Sequence, residues 1–341
     1  MEKPVLVIKI GSSVIADRNS NLDVDVIQVI VQQIAELFKS YRLIIVSSGA
    51  VSSGKNFLKH YKKRLIERKA AAAIGNPILI REYSKYFSTY GIHVAQALLE
   101  RHHFSSRPQF LQLKETIMEL WKNDILTIVN ENDLVSNHEL KFSDNDELAT
   151  LMAVAFNAEA LLLCTTAGGY MDDQKNIIPF VDNIDSVLSY LRKDTSAHGT
   201  GGMASKLTFT KLATSLGIKV VICGIQEHNS FIKAIEGQSG TTFKAIPSTL
   251  KARQKWLASG SITIGSVQID EGACEALNER KSLLAIGITK VHRAFSSGEV
   301  VQILNREGTI IGVAKMKIQS SDLSGNKKNN LAAHANDIVI F

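Results

Sequence analysis

Apolar residues fall along this chain in short runs that each end in a polar or glycine-rich turn. Residues 5–10 are apolar apart from Lys9 and end in Gly11-Ser12-Ser13. Residues 43–46 end in Ser47-Ser48-Gly49-Ala50, and residues 125–129 end in Asn130-Glu131-Asn132-Asp133. Residues 160–164 run into Thr165-Thr166-Ala167-Gly168-Gly169, and residues 219–223 stop at Gly224. Runs of this length, rich in Val, Ile and Leu, predict strands buried on both faces; residues 94–98 fit one more. Between them Val26, Ile27, Ile30, Val31, Ile34, Leu37 and Phe38 recur at helical spacing. Further helices are predicted over 70–86, adjusted around Pro77, and over 109–121, 147–156 and 203–216, the last stopped by Gly217. Strand, turn and helix in alternation predict an α/β fold with a mainly parallel sheet.

The pattern changes after about residue 243. Residues 246–259, with Pro247 and the basic Lys251, Arg253 and Lys255, read as a linker carrying a short helix near Trp256. Short alternating runs at 262–264, 298–304 and 309–316 then predict a small β-rich domain over 260–341. The first domain spans 1–245. Residues 324–330 read as a mobile loop, and the polar segment after Asp133 as a hairpin.

Composition narrows the classes. The 341 residues are 45% hydrophobic and 21% charged, ordinary for a soluble globular protein. A formal net charge of +6 permits an anionic ligand without requiring nucleic acid. The cysteines Cys164, Cys223 and Cys274 form no CxxC and read as small buried residues of a reducing compartment. The His102-His103 pair lacks metal-binding spacing. The N-terminus enters a strand at once, without a signal peptide, and no apolar run reaches membrane-spanning length, so a cytoplasmic location is expected. The basic stretch 59–69 reads as a solvated face.

The candidate chemistry sits at the strand ends, where open α/β sheets bind ligands. Lys9 lies inside an apolar first strand, a costly position unless its ammonium meets an anion. Two Asn/Asp clusters, Asn130-Glu131-Asn132-Asp133 and Ser143-Asp144-Asn145-Asp146, lie close in sequence and could face one cavity; singly, each is also a good turn or helix cap. The stretch His198-Gly199-Thr200-Gly201-Gly202-Met203-Ala204-Ser205-Lys206 opens a helix with glycines, a place for an anion. It is neither a Walker A motif nor a GxGxxG turn. Two lysines and two Asn/Asp clusters on one rim suggest phosphoryl transfer, in which positioning and charge stabilisation dominate.

Taken together, Val7-Ile8-Lys9-Ile10-Gly11-Ser12-Ser13, Val46-Ser47-Ser48-Gly49-Ala50, Val129-Asn130-Glu131-Asn132-Asp133, Asp144-Asn145-Asp146 and Gly199-Thr200-Gly201-Gly202-Met203 with Lys206 resemble the amino-acid kinase family. Within it they are similar to the branch that phosphorylates the γ-carboxylate of L-glutamate at the start of proline synthesis. The resemblance implies a three-layer αβα sandwich, use of ATP and Mg2+, feedback inhibition by proline, and a homo-oligomer. It implies that Lys9 and Lys206 stabilise the transferring phosphoryl group and that Asp146 orients them. Ser48, Asp133 and Asn145 match glutamate-binding positions, with Asn130 as a helper. Lys9, Thr165, Thr166 and the loop Gly199, Thr200, Gly201, Gly202, Met203 to Lys206 match the ATP side. Thr166 stands where the family usually has aspartate, and Ser143 replaces a common glycine.

Asp270-Glu271-Gly272-Ala273 and Ser297-Gly298-Glu299-Val300 give the β-rich part a resemblance to the PUA domain, an RNA-binding module elsewhere, with 321–331 shortened. Two other readings stay open: a kinase of the same family acting on another amino acid or small acid, and an RNA-binding protein with a kinase-fold scaffold. Nine Lys and Arg against eight Asp and Glu after Ser259 lack the basic footprint of a nucleic-acid module.

Overall fold

The computed structural model describes residues 3–17, 19, 21–135, 144–190, 202–226, 229–260, 263–323 and 330–340. The chain divides into two units, Met1–His103 with Arg107–Ser248, and Phe104–Ser106 with Thr249–Phe341. The predicted hairpin after Asp133 and the predicted mobile loop fall mostly outside the described residues.

In the first unit the predicted strands are β1 (Val5–Ile10), β2 (Arg42–Ser47), β3 (His93–Leu99), β4 (Ile125–Glu131), β5 (Ala160–Cys164) and β7 (Lys219–Cys223). Two short ones were not legible, β6 (Phe180–Val181) and β8 (Thr241–Phe243), because two or three residues carry no periodicity. Together they form one sheet in the order β3-β4-β2-β1-β5-β7-β8-β6. Every pairing is parallel except that of β7 with β8.

The helices are α1 (Val24–Phe38), α2 (Ala50–Gly54), α3 (Leu65–Ser88), α4 (His102–Ser105), α5 (Arg107–Lys122), α6 (Asn145–Ala155), α7 (Met203–Ser215) and α8 (Ser230–Ile235). Leu6, Ile8, Ile10, Ile45 and Ile128 on one face of the sheet share a core with Ile27, Ile30 and Ile34 of α1, Tyr83 and Phe87 of α3, and Phe231 of α8. Strand alternation sends Lys9 to the opposite face, where it meets α6. The sheet is thus covered on both sides, giving the three-layer αβα sandwich.

Helix starts differ from the sequence expectation for identifiable reasons. The α3 helix begins five residues before the predicted residue 70, because Glu67 folds back to accept the backbone N–H groups of Lys62 (2.6 Å) and Arg64 (3.1 Å). Part of the basic stretch is therefore the first turn of a helix. This helix continues across Pro77 as one element. The α6 helix starts at Asn145 rather than near residue 147, since the Asp144 carboxylate caps its first turn. Helices α2 and α3 approach so closely that a Cβ on Gly54 would stand 1.9 Å from the Ala71 carbonyl oxygen, and one on Gly75 would stand 1.7 Å from that of Ala50.

The second unit contains α9 (Ala252–Gly260), β9 (Thr263–Ile269), α10 (Glu271–Asn278), β10 (Leu283–Leu284), β11 (Ile288–Val291), β12 (Val300–Leu304), β13 (Ile310–Lys315), β14 (Leu331–Ala333) and β15 (Ile338–Ile340). Its sheet runs β11-β9-β12-β13-β15, with β10 and β14 paired separately. Val267, Ile269, Val301, Ile303 and Ala314 anchor its own core. Asp270, read from sequence only as part of a motif, caps α10 by accepting the Ala273 N–H at 2.7 Å.

Candidate active site

Parallel register brings the predicted strand ends to one edge. Ile10 is opposite both Ser47 and Cys164, Cys164 is opposite Cys223, and Val46 is opposite Val129. The loops that leave this edge remain bonded to it. The Ser48 N–H donates to the Ile10 carbonyl at 3.0 Å, and the Thr165 N–H donates to that of Cys223 at 2.8 Å. After Ser48 the chain turns through Gly49 at φ +108°, a conformation that favours glycine, directly into α2.

At the centre of the edge stands Asp146, fully buried in the first turn of α6. Lys9 Nζ lies 2.6 Å from its Oδ1 and Lys206 Nζ lies 2.7 Å from its Oδ2. Both are short, shielded ion pairs, and the Lys206 contact is also an aligned hydrogen bond. Burial by itself would raise the Asp146 pKa; the charges of Lys9 and then Lys206 outweigh it and hold the carboxyl below its ordinary value. The anion required by a lysine in the first strand is therefore this aspartate.

Beside this triad runs a chain of amides. Asn145 Nδ2 donates to Ser48 Oγ at 2.9 Å and to Asn130 Oδ1 at 3.1 Å. Asn130 Nδ2 in turn donates to Asn76 Oδ1 at 3.1 Å. Ser47 Oγ, one residue before Ser48, pairs with the hydroxyl of the buried Tyr83 at 3.0 Å. Sequence reasoning missed Asn76, which is buried within α3. One signal was available: an Asn immediately before a proline resists helical geometry, so Asn76-Pro77 inside an alanine-rich helix is a local conflict.

The structure brings Lys9, Lys206 and Asp146 together, and likewise Ser48, Asn145 and Asn130. Asp133 lies half-buried in the turn that follows β4. Thr165 and the exposed Thr166 follow β5, where the Thr166 carbonyl accepts Gln226 Nε2 at 3.2 Å. Gly202 occupies the position before α7 without a side-chain cap, and Met203 is the first residue of that helix. Gly199, Thr200 and Gly201, like Ser143, lie outside the described residues. Arg101 pairs with the buried Glu147 at 2.7 Å, a second charge pair at the α6 start that sequence reasoning did not find.

A buried carboxylate between two ammonium groups leaves one net positive charge in a shielded place. Such an arrangement can stabilise negative charge arriving at the lysines, and its low-dielectric setting strengthens the effect.

Comparison with known proteins identifies the family. The sequence model described as the amino acid kinase family matches residues 4–224, and that of the PUA domain matches residues 265–333. A glutamate 5-kinase of Aquifex aeolicus (strain VF5) is 37% identical over 323 residues, covering 93% of this chain and 90% of the relative. One from Pasteurella multocida (strain Pm70) is 32% identical over 362 residues, covering 98% of each chain. The crystal structure of UMP kinase from Bacillus anthracis aligns with a TM-score of 0.50 at 12% identity, over 72% of this chain and 97% of that one, a likeness of fold alone. The family match and the near-full-length relatives lead to one conclusion: the chain belongs to the amino acid kinase family, with a PUA domain following the kinase domain.

Proposed function

We propose that this protein transfers the γ-phosphoryl group of ATP to the γ-carboxylate of L-glutamate, giving L-glutamyl 5-phosphate, the first step of proline biosynthesis. The observation that carries the proposal is Asp146 holding Lys9 and Lys206 on its two oxygens. A glutamate side chain ionises near ~4.3, so its carboxylate is already the nucleophile at neutral pH and no general base is needed. Catalysis then rests on position and charge. Lys9 and Lys206 take up charge on the transferring phosphoryl group and the bridging oxygen, and Asp146 orients both without exchanging a proton.

Ser48, Asn145 and Asn130 form the hydrogen-bonding wall for glutamate, and Asp133 receives its α-ammonium through a charge-assisted bond. Thr165, Thr166, the loop Gly199-Thr200-Gly201-Gly202-Met203 and Lys206 take the nucleotide, whose phosphates are drawn to the positive start of α7. Among the described residues no group of three or more His, Cys, Asp or Glu side chains is placed to hold a metal, and both oxygens of Asp146 face ammonium groups. In this reading Mg2+ would enter with the nucleotide, where it needs only one or two carboxylates beside the phosphate oxygens, and would neutralise part of the phosphate charge.

The same reading places proline as a feedback inhibitor, a homo-oligomer as the working form and the cytoplasm as the location. Among the described residues no helix is long and apolar enough to cross a membrane. RNA binding through the PUA domain belongs to the proposal only as a weak, secondary activity. The experiment is ATP turnover with glutamate, aspartate and acetylglutamate side by side. Glutamate should support turnover well above the other two; equal or faster turnover with acetylglutamate would overturn the role given to the free α-amino group.

A further inference from the structure

One carboxylate serves the first turns of two helices. Asp144 Oδ1 accepts the backbone N–H groups of Asp146 (2.8 Å) and Glu147 (3.1 Å), which caps α6. Its Oδ2 accepts the hydroxyl of Ser205 at 2.5 Å. Ser205 is the third residue of α7 and directly precedes Lys206. The Asp144–Ser205 bond therefore runs alongside the Asp146–Lys206 pair and joins the same two helix starts a second time.

We propose that Ser205 is a positioning residue for phosphoryl transfer, its hydroxyl fixing the start of α7 so that the Lys206 ammonium stands at Asp146. This rests on the glutamate-kinase reading of the site. A hydroxyl in a glycine-rich segment would otherwise be assigned to the phosphates of a nucleotide. A serine hydroxyl has one hydrogen, however, and this one is given to Asp144. Its lone pairs would only repel a phosphate oxygen. The α7 helix has no side-chain cap of its own, since Gly202 precedes it, so the Asp144 carboxylate supplies the negative charge that its positive end favours. Lysine has a long, flexible stem, and anchoring the residue beside it limits where its ammonium can go.

The test compares Ser205→Ala, Ser205→Thr and Asp144→Ala by steady-state kinetics and by denaturation. A hydrogen bond to a carboxylate contributes enough that its loss should lower kcat about 10- to 100-fold in Ser205→Ala, with both KM values within about twofold. Ser205→Thr, which keeps the hydroxyl, should restore the rate. In denaturation, Ser205→Ala and Asp144→Ala should be clearly non-additive, a result independent of turnover. A normal kcat with a raised KM for ATP would assign the hydroxyl to the nucleotide and overturn the proposal. So would a threonine variant as slow as the alanine one, or additive destabilisation. A wild-type protein lacking glutamate-dependent turnover would instead sink the functional reading, and the stability cycle would still decide the link between the helices.

Discussion

Lys206 Nζ lies 2.7 Å from Asp146 Oδ2, and the aspartate side chain is completely shielded from water. Because Lys9 occupies the other oxygen, the carboxylate keeps one ammonium even when the second is removed. Lys206→Ala should therefore fold normally, with little change in melting temperature. Removing one preorganised donor from a developing charge costs ~10²–10³ in turnover, and kcat should fall by that order. Near-normal turnover would rule the lysine out of the chemistry.

The same triad fixes a pH dependence. The Asp146 pKa is lowered in the folded protein from its ordinary value of 3.8, the two lysines overcoming the opposing effect of burial. The unfolded state thus binds this proton first, and the contribution to stability is complete above the ordinary value and lost as pH falls through the lowered one. Melting temperatures taken from about pH 6 down to about pH 2 should fall more steeply below about pH 4 for wild type than for Asp146→Asn. Parallel curves would mean that the group does not titrate in this way.

Asn76 touches Asn130, which in turn touches Asn145, so its removal should be felt at the proposed glutamate wall. Truncation leaves a buried amide without a partner, at a cost of about 1–3 kcal/mol. Asn76→Ala should raise the glutamate KM about tenfold or more while the ATP KM stays nearly constant. Equal shifts in both would make Asn76 a general packing residue.

How far the sequence was legible follows from what kind of signal each residue leaves. Lys9 was found because a charge inside an apolar strand breaks a local pattern, and its need for an anion is met by Asp146. The parallel sheet was legible because its strands are continuous apolar runs. Asn76, Tyr83 and Ser205 left weaker traces: apart from the conflict of an Asn before Pro77, each suits its helix, and its role comes from partners 54, 36 and 61 positions away. The early start of α3 was hidden by its basic composition, because the decisive interaction is a glutamate side chain bonding backward to the main chain. The short elements α2, β6 and β8 depend on tertiary contacts and carry too few residues to show a period.

Gly75 offers a stability test in which helix propensity gives the wrong sign. In an exposed helix Gly→Ala gains up to ~1 kcal/mol. Here the new Cβ would stand 1.7 Å from the Ala50 carbonyl oxygen, and backbone must move. Gly75→Ala should be destabilising by about 1–3 kcal/mol, as overpacking commonly is. Because α2 follows Ser48 directly, the glutamate KM should rise as well. A stabilised protein with normal kinetics would show that the two helices separate at no cost.

Residues 260–341, which hold the PUA domain, carry nine Lys and Arg against eight Asp and Glu. Non-specific affinity for nucleic acid is mostly electrostatic, so the full-length protein should bind RNA weakly and with a shallow dependence on salt. An RNA titration at two salt concentrations checks this. Tight binding that weakens steeply with salt would reassign the domain from an accessory role to a nucleic-acid reader.

The position of β1 also bears on how the chain emerges from the ribosome. Strand β1, made before either of its neighbours, is an inner strand of the sheet, flanked by β2 on one side and β5 on the other. Its β2 edge finds a partner as soon as residue 47 is out, but its β5 edge must wait for residues 160–164. At ~5–20 residues per second that interval is about ten seconds, during which an apolar strand edge is unpaired. The same strand carries Lys9, so the ammonium too is without Asp146 until α6 has been synthesised. Nascent chains halted within this window should engage chaperones most strongly, and the engagement should end once β5 can close the sheet.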